Sequence, residues 1–178
     1  MTEANLPLWT PSGERIAATN MVAFMDAVQR DHDVDLAAYD DLYNWSIDQP
    51  EAFWKAIWDL CGVIADGPGS TTIEDFDKMP GARWFPGSRL NFAENLLRRR
   101  DSGPALIFSD ELRQQRTLSH GDLYDEVSRL AQALADCGVG PGDRVAGFLP
   151  NLPETAIAML ATTSRGAIWS SCSPDFGI

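Results

Sequence analysis

A glycine-rich run at residues 67–72 is the first candidate for a phosphate-binding loop. It combines two glycines and a proline with three hydroxyl side chains, as loops that hold a triphosphate do. It lacks the lysine that closes such a loop, and the carboxylates Glu74, Asp75 and Asp77 follow it. Three carboxylates beside a triphosphate would repel it strongly. We therefore expect a surface turn here.

A second glycine-rich run covers residues 138–143. A phosphate loop follows a strand and precedes a helix, so that backbone N–H groups and the positive helix end meet the anion. This run follows a predicted helix and precedes a predicted strand, which is the reverse order. We expect Gly138 to be a left-handed helix cap and the remainder to be a tight turn.

Isolated histidine and cysteine side chains give no catalytic arrangement. His120 lies at a predicted helix start without an identifiable Ser or Cys partner, which favours a solvated first-turn residue. Cys61 and Cys137 fall on apolar helix faces, where we expect them to act as small hydrophobic residues. With Cys172 they number three and form no CxxC pair, so we expect neither a disulfide framework nor a metal site. A reducing cytoplasm suits this pattern.

The segment at residues 168–177 is the only candidate for a ligand-facing site. It follows a predicted parallel strand, and open α/β sheets bind ligands at the carboxyl ends of such strands. Its small hydroxyl residues would let a substrate approach the backbone. An ordinary exit from strand to loop explains the pattern equally well, so both interpretations stay open.

The first hundred residues predict short helices and loops. Met21, Phe24, Met25 and Val28 have helical spacing behind a cap at Thr19 or Asn20. A second helix is predicted from a capping-box pattern at Asp48 and Glu51, with Pro50 in its first turn. Its apolar face contains five residues: Phe53, Trp54, Ile57, Trp58 and Cys61.

Residues 65–90 carry many turn signals, and we expect little regular structure in them. Asn91, with Glu94 three residues later, predicts the start of a short helix. Arg98, Arg99 and Arg100 would then complement the helix C-terminus, which we favour over an anion site.

Strands and helices alternate after residue 101. We predict a β-hairpin from strands at 104–108 and 114–118, and a helix from a Ser119 cap to Cys137. A strand at 144–149, a helix from Pro153 and a strand at 168–172 then predict a parallel βαβ unit. The expected fold class is α/β: an N-terminal helical and loop cap plus the first hairpin and βαβ unit of a larger sheet.

Charge excludes two classes of partner. The sequence holds 14 Lys and Arg against 26 Asp and Glu, a formal net charge of -12. This charge repels nucleic acid and anionic membranes. The amino-terminal residues lack the basic and apolar regions of a signal peptide, and no apolar run is long enough to span a bilayer. We expect a cytoplasmic protein without nucleic-acid or membrane partners.

Several segments together resemble the acetoacetate-CoA ligases of the adenylate-forming acyl-CoA synthetase family. They are YDDLYNWS at 39–46, FW at 53–54, WFPGSRLNFAEN at 84–95, GVGPGDRV at 138–145 and SPDFG at 173–177. Residues 170–176, SSCSPDF, separate this type from acetyl-CoA synthetases, which tend to carry Gly-Gly-Phe-Ser-Pro-Glu-Ala at these positions.

The resemblance implies an ATP-dependent ligation of acetoacetate to CoA through an acyl-adenylate, assisted by magnesium. It implies a cap region of acetyl-CoA synthetase type at residues 1–100 and the start of an AMP-binding domain at 101–178. It implies that the catalytic, phosphate and metal motifs lie beyond this chain, so we expect the chain alone to be inactive and to hold no cofactor. Ser170 and Ser171 align near the family's Gly-Gly and would border the CoA path.

Three alternatives stay open at this point. The chain belongs to another short-chain acyl-CoA synthetase, acting on acetate or propionate; it is a non-catalytic docking module; or it is a small nucleotide-binding protein. If the chain is cut inside a sheet, we expect an open strand edge and an uncovered apolar face, and therefore self-association of the isolated chain.

Overall fold

The computed structural model describes residues 7–113 and 115–175. They cluster into two compact units. The first unit comprises residues 7–63 and 68–87, and the second comprises residues 64–67 and 88–175. None of the helices in the described ranges is both long and apolar enough to span a membrane.

The first unit is mainly helical. Its elements are α1 (Gly13–Ala17), α2 (Asn20–His32), α3 (Tyr39–Asp48), α4 (Pro50–Cys61), β1 (Ile73–Glu74) and β2 (Arg83–Trp84). The two short strands pair antiparallel. Apart from these two-residue strands, residues 65–90 form turns and loops, as predicted.

Helix α2 is confirmed with its predicted cap. The Thr19 hydroxyl accepts a hydrogen bond from the Val22 N–H at 3.3 Å, which satisfies one unpaired donor of the first turn. Phe24, Met25 and Val28 are buried in the core of this unit, whereas Met21 is exposed. The buried face of α2 is therefore narrower than the spacing of its apolar residues predicted.

The start of α4 is predicted correctly at Pro50, but the predicted cap at Asp48 is wrong. Asp48 is the last residue of α3, and Gln49 lies between the two helices. Helix α3 begins behind Ala38, whose N–H donates to the Asp41 carboxylate at 2.8 Å. No side chain of α4 is fully buried, although its aromatic rings contact others of the unit, including Trp54 with Trp84 at 5.1 Å between centroids.

The second unit mixes helices and strands. Its elements are α5 (Phe92–Leu96), β3 (Pro104–Ser109), β4 (Gln115–Ser119), α6 (His120–Asp136), β5 (Arg144–Phe148), α7 (Pro153–Ser164) and β6 (Ile168–Cys172). Strands β3 and β4 form the predicted antiparallel hairpin, and β5 and β6 form the predicted parallel pair. In the described part of the chain these are two separate sheets.

The Ser119 cap predicted at the start of α6 is confirmed, and it forms a capping box with Asp122. The Ser119 hydroxyl accepts from the Asp122 N–H at 3.0 Å, and the Asp122 carboxylate accepts from the Ser119 N–H, also at 3.0 Å. Leu123 and Val127, one turn apart, are buried against α7 and the hairpin. The capping box thus fixes the residue at which the buried face of α6 begins.

Two asparagines hold α5 in place. The Asn91 side chain accepts from the Glu94 N–H at 3.1 Å, as predicted, and it also donates to the last carbonyls of α7, Thr163 at 3.0 Å and Ser164 at 3.3 Å. Asn95 exchanges two hydrogen bonds with the backbone of Ile64, each 2.9 Å long. Asn91 therefore caps one helix at its start and another at its end.

Candidate functional site

The carboxyl edge of β5 and β6 is the position at which an open α/β sheet binds ligands. Helix α7 connects the two strands, and their register pairs Phe148 with Cys172 at this edge. A bond from the Leu149 N–H to the Cys172 carbonyl, 3.3 Å long, continues the pairing by one residue. The edge therefore continues into two short loops. One comprises residues 149–152, which no sequence pattern indicated as part of a site, and the other is the segment after Cys172.

The loop after β6 is held by its own side chains. The Asp175 N–H donates to Ser173 Oγ at 3.2 Å, and the Ser173 hydroxyl donates to the Asp175 carboxylate at 2.9 Å. Both polar groups are thus engaged with each other in this arrangement. The rest of the candidate segment, Phe176 and Gly177, lies outside the described residues.

Ser170 and Ser171 lie within β6 rather than in the loop that follows it. Ser170 pairs with Ala146 and Ser171 pairs with Gly147. Both residues are exposed. Because successive side chains of a strand point to opposite faces, the two hydroxyls diverge. The structure does not bring them together, and period-two alternation in the sequence was a signal that could have shown this.

The two faces of this sheet have different surroundings. Val145, Gly147 and Trp169 line a cavity of about 260 Å³ together with side chains of α6 and α7, and Ala146 and Phe148 also border it. Ser171 shares that face by alternation. On the other face, Phe148 and Ile168 remain 66% and 54% exposed. Ser170 lies on this second face, where the described residues leave its side chain exposed.

The turn at residues 138–143 confirms the prediction of a helix cap. Gly138 has φ +83°, its N–H donates to the Ala135 carbonyl at 2.8 Å, and the Val139 N–H donates to Leu134 at 2.9 Å. These two bonds form a Schellman motif. The Gly140 N–H donates to the Asp143 carboxylate at 2.8 Å, so an internal anion already occupies the position that a phosphate would need.

The run at residues 67–72 likewise has the features of a turn. Gly67 and Gly69 have φ values of +117° and +73°, and the strand β1 follows rather than a helix. The neighbouring carboxylates are paired with cations, Asp75 with Lys78 at 2.8 Å and Glu74 with Arg83. The run therefore lacks the helix N-terminus and the basic side chain that a triphosphate would need.

His120 is the first residue of α6, as predicted, and its backbone N–H donates to the Gly103 carbonyl at 3.0 Å. The preceding hydroxyl, Ser119, is used in the capping box. The nearby Asp101 accepts from Arg99 at 3.0 Å, a bond that lowers the pKa of the Asp101 carboxyl, and the Gly103 N–H lowers it further. This surface cluster stabilises a turn and contains no nucleophile.

The prediction that Cys61 and Cys137 act as small hydrophobic residues is wrong. Cys61 and Cys137 are exposed rather than packed on apolar faces, and so is Cys172. Cys137 is the C-cap of α6, so it lies at the end of the helix rather than within its buried face. Among the residues that the structure describes, no group of three or more His, Cys, Asp or Glu side chains is arranged to hold a metal ion.

The three arginines after α5 were expected to complement its C-terminus, but they lie beyond its last turn. The helix ends at Leu96. Arg99 pairs with Asp101, and the Arg100 guanidinium lies 3.6 Å from the centroid of the Tyr124 ring. Arg98 and Arg100 also line an open cleft of about 670 Å³ between α5, α6 and the end of α7, together with Glu94. The carboxylate of Glu94 offsets part of the positive charge in this cleft.

Two family models match consecutive parts of the chain. The model described as "Acetyl-coenzyme A synthetase N-terminus" matches residues 39–96, and the model described as "AMP-binding enzyme" matches residues 92–178. Together they run from α3 to the last residue.

Curated relatives match nearly the whole chain. An acetoacetyl-coenzyme A synthetase from Rhizobium meliloti is 49% identical over 175 residues, covering 98% of this chain and 27% of the relative. An acetoacetyl-CoA synthetase from Danio rerio is 39% identical, covering 96% of this chain and 26% of the relative. A malonamoyl-CoA synthetase from Penicillium aethiopicum is 36% identical, with 96% and 24% covered.

A solved structure agrees with these matches. Acetoacetyl-CoA synthetase from Streptomyces lividans superposes with a TM-score of 0.86 at 40% identity, over 97% of this chain and 27% of that chain. The chain thus spans about a quarter of the length of the relatives that it matches. The chain is therefore similar to the amino-terminal part of acetoacetyl-CoA synthetases, and its residues 92–178 match the model described as "AMP-binding enzyme".

Proposed function

We propose that the chain is the amino-terminal part of an ATP-dependent acetoacetate-CoA ligase. The whole enzyme would convert acetoacetate, ATP and CoA into acetoacetyl-CoA, AMP and diphosphate. One observation carries the proposal: 49% identity to an acetoacetyl-coenzyme A synthetase over 98% of the chain. The superposition on the Streptomyces lividans enzyme supports it.

The part played by this chain is structural support of the reaction. Adenylate formation needs donors and cations that stabilise charge on the transferred phosphoryl group. Neither glycine-rich run fits a triphosphate, because Asp143 fills one and the other lacks a basic side chain and a following helix. We therefore assign the ATP and magnesium sites to the rest of the enzyme, and we expect residues 1–178 alone to be inactive.

Within the chain, we propose residues 1–100 as the cap region and residues 101–178 as the start of the AMP-binding domain. We retain Ser170 and Ser171 as neighbours of the CoA path. Their opposite directions on β6 imply that one hydroxyl at most touches a given ligand. A cytoplasmic location, without nucleic-acid or membrane partners, is proposed from the net charge of -12 and the odd number of cysteines.

A substrate panel on the full-length gene product tests the proposal. Acetoacetate, malonamate, acetate and propionate are each supplied with ATP, magnesium and CoA, and AMP formation is measured. Acetoacetate should give the highest kcat/KM, and faster turnover of acetate or propionate would refute the proposal. Reactions without CoA or without ATP are the controls.

Malonamate belongs in the panel for a specific reason. One relative is a malonamoyl-CoA synthetase. Malonamate differs from acetoacetate by an amino group in place of the terminal methyl, so the two acids have nearly the same shape. A preference for malonamate would keep the ligase class and change the substrate. Absence of AMP formation with every acid would favour the non-catalytic docking module.

A further inference from the structure

The three arginines after α5 do not have the role that the sequence favoured for them. A cation complements a helix dipole only within the last turn. Helix α5 ends at Leu96, so Arg98 lies beyond its C-cap and Arg100 lies further along the chain. Arg99 donates two hydrogen bonds to the Asp101 carboxylate, at 3.0 and 3.1 Å. The positions of Arg98 and Arg100 therefore need another explanation.

Arg98 and Arg100 both line the cleft of about 670 Å³ between α5, α6 and the end of α7. A volume of about 300–1,000 Å³ is usual for a site that binds a small molecule. Among the described residues that line this cleft, Glu94 is the one other charged side chain, so the lining has a net positive charge. Charges more than about 10 Å away are largely screened at about 0.1 M salt. The lining therefore attracts anions although the whole chain has a formal net charge of -12.

The backbone at Arg100 is held against the start of α6. The Gly121 N–H donates to the Asp101 carbonyl at 3.1 Å, and a Cβ built on Gly121 would lie only 3.3 Å from the Arg100 carbonyl oxygen. The Arg100 guanidinium lies 3.6 Å from the centroid of the Tyr124 ring, and this ring packs against the core of the second unit. Arg100 is thus held both at its backbone and at its side chain.

The contact with Tyr124 leaves donors of Arg100 available. Stacking uses the face of a guanidinium, whereas its N–H groups lie in the plane and point outwards. None of the ion pairs within the described residues includes Arg100. A planar set of donors matches the paired oxygens of a carboxylate or a phosphate. Arg100 is therefore arranged to bind an oxyanion in the cleft.

Part of the lining is apolar. Ile64, Leu97, Val127 and Ala131 line the cleft beside the charged groups, and Ile64 is 36% exposed. An inorganic anion would leave this apolar surface in water, whereas the hydrocarbon part of an organic anion would cover it. Pockets that combine an apolar lining with a few polar groups are typical of sites for small organic molecules.

We propose that this cleft binds a small organic anion, with its carboxylate or phosphate group on Arg100 and its apolar part against Ile64 and Ala131. Arg98 adds positive charge in the same cleft. Glu94 repels a second anionic group, so the site favours a ligand that carries one.

Calorimetric titration of the full-length gene product tests the proposal without turnover, and its result therefore does not depend on the ligase activity. Benzoate and phenyl phosphate carry a carboxylate or a phosphate on the same ring, inorganic phosphate lacks the ring, and benzyl alcohol lacks the charge. We expect benzoate, phenyl phosphate or both to bind at least about 10-fold more tightly than inorganic phosphate and benzyl alcohol. Binding of neither aromatic anion, or equal binding of either comparison compound, would overturn the proposal.

Charge-removing variants locate the bound anion. Arg100→Ala should weaken binding about 10-fold or more, because it removes charge-assisted hydrogen bonds. Arg129→Ala is the matched control, since it removes an equal charge from α6 at a position where Arg129 pairs with Glu126 at 2.7 Å. The control should change binding by less than about 2-fold. Unchanged binding in Arg100→Ala, or an equal loss in both variants, would refute the site.

Two further positions separate a role in binding from a role in folding. Tyr124→Phe keeps the aromatic ring and Tyr124→Leu removes it, so the leucine variant alone should weaken binding, by about 2- to 5-fold. Glu94→Gln should tighten binding about 3-fold, because it removes the carboxylate that opposes the anion. Tighter binding cannot result from a poorly folded variant. Equal binding in the two Tyr124 variants, or no tightening in Glu94→Gln, would contradict the proposed arrangement.

Discussion

The indole ring of Trp169 lies over the backbone of Gly147 on the neighbouring strand. A Cβ atom built on Gly147 would come within 2.8 Å of the ring atom Cζ2. Such a contact is shorter than van der Waals packing allows, so the ring or the strand must move. The glycine therefore leaves room for the largest side chain of β6 beside β5.

Replacing this glycine should destabilise the second unit. We expect Gly147→Ala to lower the free energy of unfolding by about 1–3 kcal/mol, the usual cost of overpacking. Urea unfolding followed by tryptophan fluorescence measures it. Gly140→Ala is the control, because a Cβ there meets its nearest atom only at 4.0 Å. Equal stability of both variants would show that Trp169 moves aside without cost.

Asn91 should contribute more to the stability of the fold than its position at the start of a short helix suggests. Asn91→Ala removes the α5 cap and the two bonds to the end of α7, and we expect a loss of about 1–2 kcal/mol. Denaturant unfolding gives the value. Asn151→Ala, at an exposed loop position, should change stability by less than about 0.5 kcal/mol. An equally small loss of stability in Asn91→Ala would mean that the hydrogen bonds between α5 and α7 contribute little to the stability of the fold.

The capping box of α6 predicts a pH dependence of stability. Hydrogen bonds from the Ser119 hydroxyl and N–H lower the pKa of the Asp122 carboxyl in the folded chain. A carboxyl with a lowered folded pKa stabilises the fold above its unfolded pKa, and this contribution is lost as the pH falls through the folded pKa. The urea midpoint, measured from about pH 5 down to about pH 2, should therefore fall less steeply in Asp122→Asn than in the parent. Parallel curves would contradict this expectation.

The divergent directions of Ser170 and Ser171 predict unequal effects on CoA. In the full-length enzyme, one of the variants Ser170→Ala and Ser171→Ala should raise the KM for CoA by about 3-fold or more, and the other should leave it unchanged. The KM for ATP serves as the control and should not change in either variant. Unchanged CoA kinetics in both would remove these residues from the CoA path.

The parts of the fold that sequence predicted well are those with a local chemical signal. Ser119, Asn91 and Gly138 each satisfy unpaired backbone groups at a helix end, and each lies where its residue type predicted. Pro153 opens α7 for the same kind of reason, since it needs no N–H partner in the first turn. These features depend on a few neighbouring residues.

Other features could not be predicted because they depend on the surrounding three-dimensional structure. Helix α3 ends at Asp48, so a residue of a type that is common at helix N-caps here belongs to the preceding helix. Cys137 has the spacing of a core residue but follows the last helical turn. The candidate site was found only as a region, because the pairing of Ser170 with Ala146 and of Ser171 with Gly147 depends on strand register. Ligand groups supplied by other parts of an enzyme leave no trace in this sequence.

The turn before β5 has a consequence for the order in which the parallel strands assemble. At their amino ends, Gly142 donates to Gly166 at 3.0 Å and the Ile168 N–H donates to the Asp143 carbonyl at 2.7 Å. Pairing that starts at these contacts proceeds along the strands towards their carboxyl edge. We therefore expect the Leu149 amide to exchange hydrogen for deuterium faster than the Ile168 amide. The carboxyl edge, which is the candidate site, would then be the last part of the sheet to close and the most adaptable.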